Sequence, residues 1–260
     1  MRRLFPPPGA DTDPGDLTDR QWSLDELADL YAYPPYPGEG RGWLRANMVS
    51  SLDGAAHHEG RSQPLSGEGD MRIFGVLRAL ADVIVVGAET VRQEGYRGAK
   101  ARRAFAERRR AAGQTPAAAM AVVTASMELD FSSPLFTTPV TPTLVLTGAG
   151  APQDRVRAAR AAGAEVLLAG EGTGVDPARV PGLLAERGLW RQLSEGGPRL
   201  LGQLSAAGAL DEACLTWAPR LALGDAPRIM DGPSVDVPVD LTLVSLLEEA
   251  GFLFSRYRRS

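Results

Sequence analysis

The chain has 260 residues, 44% of them apolar and 23% charged, with a net charge of −4 at pH 7. That is ordinary globular composition with length for one large core, and the mildly acidic balance argues against nucleic acid or a membrane surface as a partner. One cysteine, Cys214, excludes an internal disulfide framework and a thiolate metal cluster, and no apolar run approaches a membrane span.

Taken in order, residues Met1 to about Asp19 are rich in Pro, Gly and Asp and read as an extended arm. A short helix follows over Leu24 to Tyr31, with Ser23 as its N-cap, and the turn-rich YPPYPGEGRG closes an appendage of residues 1–40. A single domain is expected over 41–260. Its first strand is WLRANMV, Trp43 to Val49, running into a polar loop of about twenty residues; structureless loops that long are often functional. Ser66 is placed to cap a helix over Gly69 to Leu80, whose apolar residues Met71, Phe74, Leu77 and Leu80 keep helical spacing. The run Val83 to Val86 is a strand buried on both faces.

Beyond it, ARRAFAERRRAA (Ala101 to Ala112) reads as a solvated basic helix in preference to an anion-binding surface. Strands are expected over Ala119 to Thr124, Thr143 to Thr147, Glu165 to Leu168, Arg191 to Ser194 and Ala213 to Trp217. Helices are expected over Gln153 to Ala162, Pro177 to Arg187 and Pro198 to Ala207. After Ala213 the helical crossovers stop, and Asp240 to Leu247 with Gly251 to Arg258 form a hairpin. The fold class is therefore α/β: a mostly parallel central sheet flanked by helices, ending in an antiparallel C-terminal hairpin. That hairpin also reads as an edge that pairs with a second copy, so a homodimer is expected.

In open α/β sheets ligands sit at the carboxyl ends of the strands, and four corners there carry candidate residues. ADVIVVGAETVRQEGYRG places Gly87, Thr90, Arg92, Glu94 and Arg97 just past a core strand. LSEGGPRLL places Glu195, Gly196, Gly197 and Pro198 between a strand and a helix start, which is either an anion site built of helix N–H groups or a tight turn that needs glycine for geometry. TGAGAPQDRV carries Thr147, Gly148 and Gly150. It lacks the third glycine of the dinucleotide fingerprint, so a standard Rossmann site is rejected, although the corner is suited to an adenosine end with Arg155 or Arg157 on a 2′-phosphate. SSLDG places Ser51 and Asp53 after the first strand, where Asp53 is either a turn residue or a carboxylate for a donor-rich heterocycle. His57 and His58 are adjacent, so their side chains diverge; with no third ligand in view, no metal is expected. The corners together suit an extended ligand such as a dinucleotide.

Three segments, NMVSSLDG (Asn47–Gly54), LRALADVIVVGAETVRQEGY (Leu77–Tyr96) and SEGGPRLLGQLSAAGALDEACLTWAPRLALG (Ser194–Gly224), together resemble the reductase domain of bacterial riboflavin biosynthesis. The resemblance covers roughly Trp43 to the C-terminus and implies a dihydrofolate-reductase-like fold and NADPH as cofactor. A reducing, cytoplasmic location is the default from composition, with one cysteine and no apolar leader, and the resemblance implies an enzyme that transfers hydride to a C=N or opened-sugar imine, with 5-amino-6-ribosylamino-uracil phosphate as the expected substrate. Cofactor contacts are implied for Gly87, Thr90, Gly196, Gly197 and Pro198, with Thr147 and Gly148 at the neighbouring corner. Asn47, Ser51, Glu94 and Arg97 are expected at the substrate, and Asp53 and Glu195 as catalytic carboxylates. Family members follow the threonine with an acidic-acidic-proline segment; here the chain reads RQEGYRG, with Glu94 and Arg97 in that place. The looser alternatives are a reductase of dihydrofolate or another pterin, and a nucleotide-binding protein without catalysis.

Overall fold

The computed structural model describes residues 1–5, 19–36 and 38–260; most of the expected N-terminal arm, residues 6–18, lies outside the described residues. The described residues form a ten-stranded sheet in the order β1-β9-β10-β8-β2-β7-β3-β4-β5-β6. The strands are β1 (Arg2–Phe5), β2 (Trp43–Ser50), β3 (Val83–Gly87), β4 (Ala119–Val123), β5 (Leu144–Thr147), β6 (Glu165–Leu168), β7 (Arg191–Ser194), β8 (Glu212–Trp217), β9 (Leu241–Glu249) and β10 (Phe252–Arg259). From β8 through β6 neighbouring strands run parallel. At the other end β10 pairs antiparallel with both β8 and β9, and β9 with β1. The expected mostly parallel sheet with an antiparallel C-terminal hairpin is therefore present.

The helices are α1 (Leu24–Leu30), α2 (Glu68–Leu80), α3 (Ala88–Glu94), α4 (Ala106–Ala111), α5 (Pro134–Thr137), α6 (Gln153–Ala161), α7 (Val180–Ala185) and α8 (Pro198–Ala206). Among the described residues none is long and apolar enough to cross a membrane. The strand alternation sets the layers. Ile84 and Val86 of β3 and Met120 and Val122 of β4 join one core cluster, under α2 and α1. Val83, Val85, Ala119 and Ala121 join the other, under α7 and α8. Successive residues of a strand point to opposite faces, so an unbroken apolar run is what a sheet covered on both sides requires.

Several elements differ from the sequence reading. Arg2–Phe5 is a strand on the outer edge of β9, so the C-terminal hairpin does not present a bare edge. Four polar-leaning residues carry too little alternation to announce a strand. Helix α2 begins one residue early and its N-cap is Gly67, with no side-chain cap, instead of Ser66. The polar stretch after β3 is itself a helix, α3, closed by Gly95 in the left-handed conformation. The Ala101–Ala112 stretch is a 3-10 turn (Arg103–Phe105) followed by the short α4. Within it Arg109 is 3% exposed, and its guanidinium donates to the carbonyls of Ala79, Ala81 and Thr115. Pro177–Arg187 likewise splits into a 3-10 turn and α7. Helix α1 is as expected: Ser23 Oγ accepts from Glu26 N, and the Glu26 carboxylate accepts from Ser23 N.

One buried charge cluster ties this architecture together. Glu212 on β8 is fully buried and faces Arg45, its parallel neighbour on β2, at 2.5 Å (Nε–Oε1). Arg256 on β10 meets the same carboxylate at 2.8 and 3.0 Å, and Arg258 at 3.2 Å. The remaining guanidinium N–H groups of Arg45 and Arg256 donate to the carbonyls of Leu30, Tyr31 and Ala32, where α1 ends. Burial pushes the Glu212 carboxyl up, but the Arg45 and Arg256 charges outweigh it and hold it at about 2.

Removing one partner of a buried ion cluster leaves the others uncompensated. Glu212→Ala is therefore expected to lower the unfolding free energy by about 3–5 kcal/mol, read as a fall in the urea midpoint. Because the folded-state pKa lies below the ordinary value of 4.5, this contribution is complete above that ordinary value. It is lost as pH falls from there towards 2. A wild-type urea midpoint unchanged between pH 5 and pH 3 would contradict the assignment.

Candidate active site

The carboxyl ends of β2, β7 and β3 meet at a corner built by backbone. Gly87 N donates to the Gly196 carbonyl at 2.8 Å and Glu195 N to the Val85 carbonyl at 3.0 Å, which extends the β7–β3 ladder past Ser194. Gly196 sits at φ +79 and the Gly196–Gly197 peptide is cis. A positive φ is cheap only for glycine. A side chain at Gly197 would place its Cβ 2.5 Å from Thr90 Oγ1, so that glycine is required for contact between the β7–α8 corner and α3. Pro198 then starts α8, whose first turn has no side-chain cap. The corner thus presents bare backbone and free helix N–H groups, the chemistry that receives phosphate.

In front of it lies a cleft of about 580 Å³, within the range of small-molecule sites. Its floor includes Asn47, Met48, Thr90, Gly197 and Pro198, and one wall is a stripe of α2: Asp70, Phe74 and Arg78. Arg97, Lys100 and Arg102 bring positive charge to the same cleft.

Glu195 is clamped at this corner. Arg78 donates to both its oxygens, at 2.7 Å (Nε–Oε1) and 2.6 Å (Nη2–Oε2), and the Tyr96 hydroxyl donates to Oε2 at 2.7 Å. The Arg78 guanidinium also lies 4.4 Å from the Phe74 ring centroid. Burial works against its charge, but Glu195 more than compensates and raises its pKa. Burial and the nearby Glu195 charge push the Tyr96 hydroxyl well above its usual value, which keeps it a proton donor. Glu195 therefore meets the cleft with both oxygens already engaged.

Not all the residues singled out in the sequence converge here. Gly87 underlies the corner, while Asn47, Thr90, Glu94, Arg97, Glu195, Gly197 and Pro198 line the cleft. Glu94 accepts from Ser62 N and Ser62 Oγ, both at 2.9 Å, and so pins the long loop after β2 to α3. Ser51 and Asp53 do not line the cleft. Asp53 accepts from Ser51 Oγ at 2.5 Å and from Ala222 N and Leu223 N at 3.1 and 2.7 Å, bonds that hold its carboxyl at about 2. It is a staple between two loops, the turn alternative left open by the sequence. Thr147 and Gly148 are also elsewhere: their corner is covered by residues 170–176, with Gly148 N donating to the Thr173 carbonyl at 3.0 Å. Arg155 is spent on the carbonyls of Met127 and Leu129.

Asp70, Phe74, Arg78 and Tyr96 escaped the sequence reading. The first three recur every fourth residue, a single stripe of α2, and two charged groups on a stripe that also carries Phe74 were the available signal. Asp70 is 5% exposed and its Oδ1 accepts from Thr216 Oγ1 at 2.7 Å. Burial raises its pKa against the opposing bonds from the Thr216 and Ser66 hydroxyls.

Topology and cleft put the chain among the α/β proteins that hold a small molecule at the carboxyl ends of a parallel sheet. It is similar to a pyrimidine reductase-like protein from Corynebacterium diphtheriae, with a TM-score of 0.74 and 27% identity over 84% of this chain and 92% of that one. The chain belongs to the RibD C-terminal domain family, which matches residues 42–250. Two relatives named 2,5-diamino-6-ribosylamino-4(3H)-pyrimidinone 5′-phosphate reductase agree with this placement. The one from Archaeoglobus fulgidus is 28% identical over 84% of this chain and all of its own length. The one from Methanothermobacter thermautotrophicus is 30% identical over 79% of this chain and 91% of its own length.

Since Arg78 faces Glu195 across the corner with little solvent, Glu195→Ala leaves a largely buried guanidinium without its carboxylate. The expected cost is about 3 kcal/mol of stability, measured as the shift in urea midpoint. A cost within ~0.5 kcal/mol would show that the clamp is incidental.

Proposed function

We propose that the protein is an NADPH-dependent reductase of a ribosylamino-pyrimidine 5′-phosphate in riboflavin biosynthesis. The observation that carries this reading is the bare Gly196–Gly197 corner against Thr90 at the floor of a cleft whose walls bring Arg97, Lys100 and Arg102. Backbone without side chains, uncapped α8 N–H groups and a nearby hydroxyl fit a dinucleotide. NADPH, when bound, supplies the hydride.

The chain's own residues position the reactants and exclude water. Gly87, Gly196, Gly197, Pro198 and Thr90 are assigned to the cofactor, and Asn47, Glu94 and Arg97 to the substrate. Met48, Phe74 and Tyr96 supply the apolar surface that keeps the reaction away from solvent. The hydride adds to C1′ of the ring-opened ribosyl imine, and the imine nitrogen takes up one proton from the medium. The product is a ribitylamino-pyrimidine, with the cofactor oxidised. Glu195 is a positioning residue here, because its oxygens are held by Arg78 and Tyr96. Asp53 and Ser51 shape the loop instead of meeting substrate.

A titration of the purified protein with NADPH and NADH, followed by fluorescence, should give a strong preference for NADPH. The bound cofactor should then be oxidised on addition of the ribosylamino-pyrimidine phosphate. Binding without turnover of this substrate or of dihydrofolate would favour a non-catalytic nucleotide binder. Gly197→Ala is expected to weaken NADPH binding by about tenfold or more, equivalent to ~1.4 kcal/mol, since its Cβ must displace Thr90. A homodimer belongs to the same proposal and is favoured by exposed Leu221, Leu223, Val237 and Val239 after β8. Light scattering at micromolar concentration should report twice the chain mass, and a monomer would remove that part.

A further inference from the structure

The two adjacent histidines of the loop between β2 and α2 diverge: His58 is exposed, and the half-buried His57 lines the cleft with Ala56, Gly60 and Ser62. Nothing in the fold or the cofactor corner uses His57. Among the described residues no hydrogen bond reaches its ring: Nδ1 is shut off from solvent without a partner, which leaves Nε2 as the nitrogen open to a ligand. An imidazole kept only for packing gives a nitrogen to a nearby carbonyl or hydroxyl, because a buried unpaired one costs stability. The backbone on either side is held. Ala56 N donates to the Pro227 carbonyl at 2.9 Å, His58 and Arg61 exchange two backbone bonds, and Ser62 is tied to Glu94. An unspent ring on anchored backbone in a cleft wall is placed to act on what the cleft holds.

The reduction proposed above needs one proton at the imine nitrogen for each hydride delivered to C1′. The other titratable groups of the cleft are unsuited to give it. Glu195 has both oxygens engaged by Arg78 and Tyr96, and Glu94 accepts from Ser62 N and Oγ. Asp70 is 5% exposed and accepts from Thr216 Oγ1. Tyr96 spends its hydroxyl on Glu195 and is pushed well above its usual value by burial. Arg78, Arg97, Lys100, Arg102 and Arg109 bring guanidinium and ammonium groups, which hold their protons at neutral pH. An imidazole is the side chain that exchanges a proton there. We infer that His57 is the proton donor of the reaction. As hydride adds to C1′, the Nε2–H bond of the imidazolium breaks and its proton passes to the imine nitrogen. The products are the secondary amine, the oxidised cofactor and a neutral imidazole, which is reprotonated from the medium. This rests on the reductase reading above and names the last carrier of the proton which that reading draws from solvent.

The test is NADPH oxidation by the full-length wild type, His57→Ala and His57→Gln, at saturating cofactor, with the ribosylamino-pyrimidine 5′-phosphate in its 2-amino and 2-oxo forms. Both variants should lose about a hundredfold or more in kcat, the scale of a general acid, while the NADPH dissociation constant stays at the wild-type value. Added imidazole should restore part of the lost kcat to His57→Ala, a rescue that a packing role does not give. A kcat close to wild type in both variants overturns the assignment, and so does a loss in His57→Ala that imidazole leaves unchanged. If the variants do not fold, wild type decides in single turnover. Only the protonated ring can donate, so the rate should fall as pH rises through neutral; a rate unchanged from about pH 5 to about pH 8 overturns the role of His57. Absence of NADPH oxidation by wild type with either substrate overturns the reductase reading itself, and this inference with it.

Discussion

Glu212 is the constraint on which the rest depends. The carboxylate lies where the sheet changes from parallel to antiparallel pairing, and its arginine partners come from both sides of that change: Arg45 from β2, Arg256 and Arg258 from β10. A point charge shared by three strands fixes their relative register more tightly than apolar packing, which tolerates sliding. Because the same guanidinium groups satisfy the last carbonyls of α1, that helix is held to the sheet by the same charges. The carboxyl-end half of β2, which carries Asn47 to the cleft, and β8 beside it are tied to this cluster at the opposite end of the strands.

The cleft is organised by the same logic at its own end. A corner that must stay free of side chains cannot be held by side-chain packing, and Gly196 and Gly197 contribute none. Stiffness comes instead from the residue before them, where Glu195 is gripped by Arg78 and Tyr96, and from ladder bonds to β3. Asp53 does for the loops of the other rim what Glu195 does for the corner. Several charged residues near the site thus brace the backbone around it.

How much of this was legible in the sequence depended on range. Buried strands announce themselves by composition, so β3, β4 and β5 fall where the apolar runs are, and the Ser23–Glu26 capping box is a local signal read locally. Gly196 and Gly197 were legible as a tight strand–helix turn, although the two reasons for glycine, a positive φ at Gly196 and the contact with Thr90 at Gly197, were not. Illegible were the relations set by tertiary partners. Asp53 looked the same in sequence whether it gripped a ligand or residues 222 and 223, some 170 positions away. Arg109 looked like any arginine of a basic helix, yet its guanidinium fills the space under the end of α2. The TGAGAP corner was unreadable for a similar reason, since the segment that covers it is a glycine-rich loop with no pattern of its own. Strand β1 carries too little apolar surface to be seen without β9 beside it.

That last strand has a consequence for how the chain assembles. Arg2 pairs with Glu248, so β1 is completed by a strand that lies 246 positions further along the chain. The outer edge of β9 is covered only when the two ends of the chain meet, and contacts of such sequence separation form slowly. Until then the hairpin of β9 and β10 offers an unpaired edge to any neighbouring chain. The four residues of β1 thus act as an intramolecular guard of the β9 edge, so a substitution that unpairs Arg2–Phe5 exposes that edge to self-association.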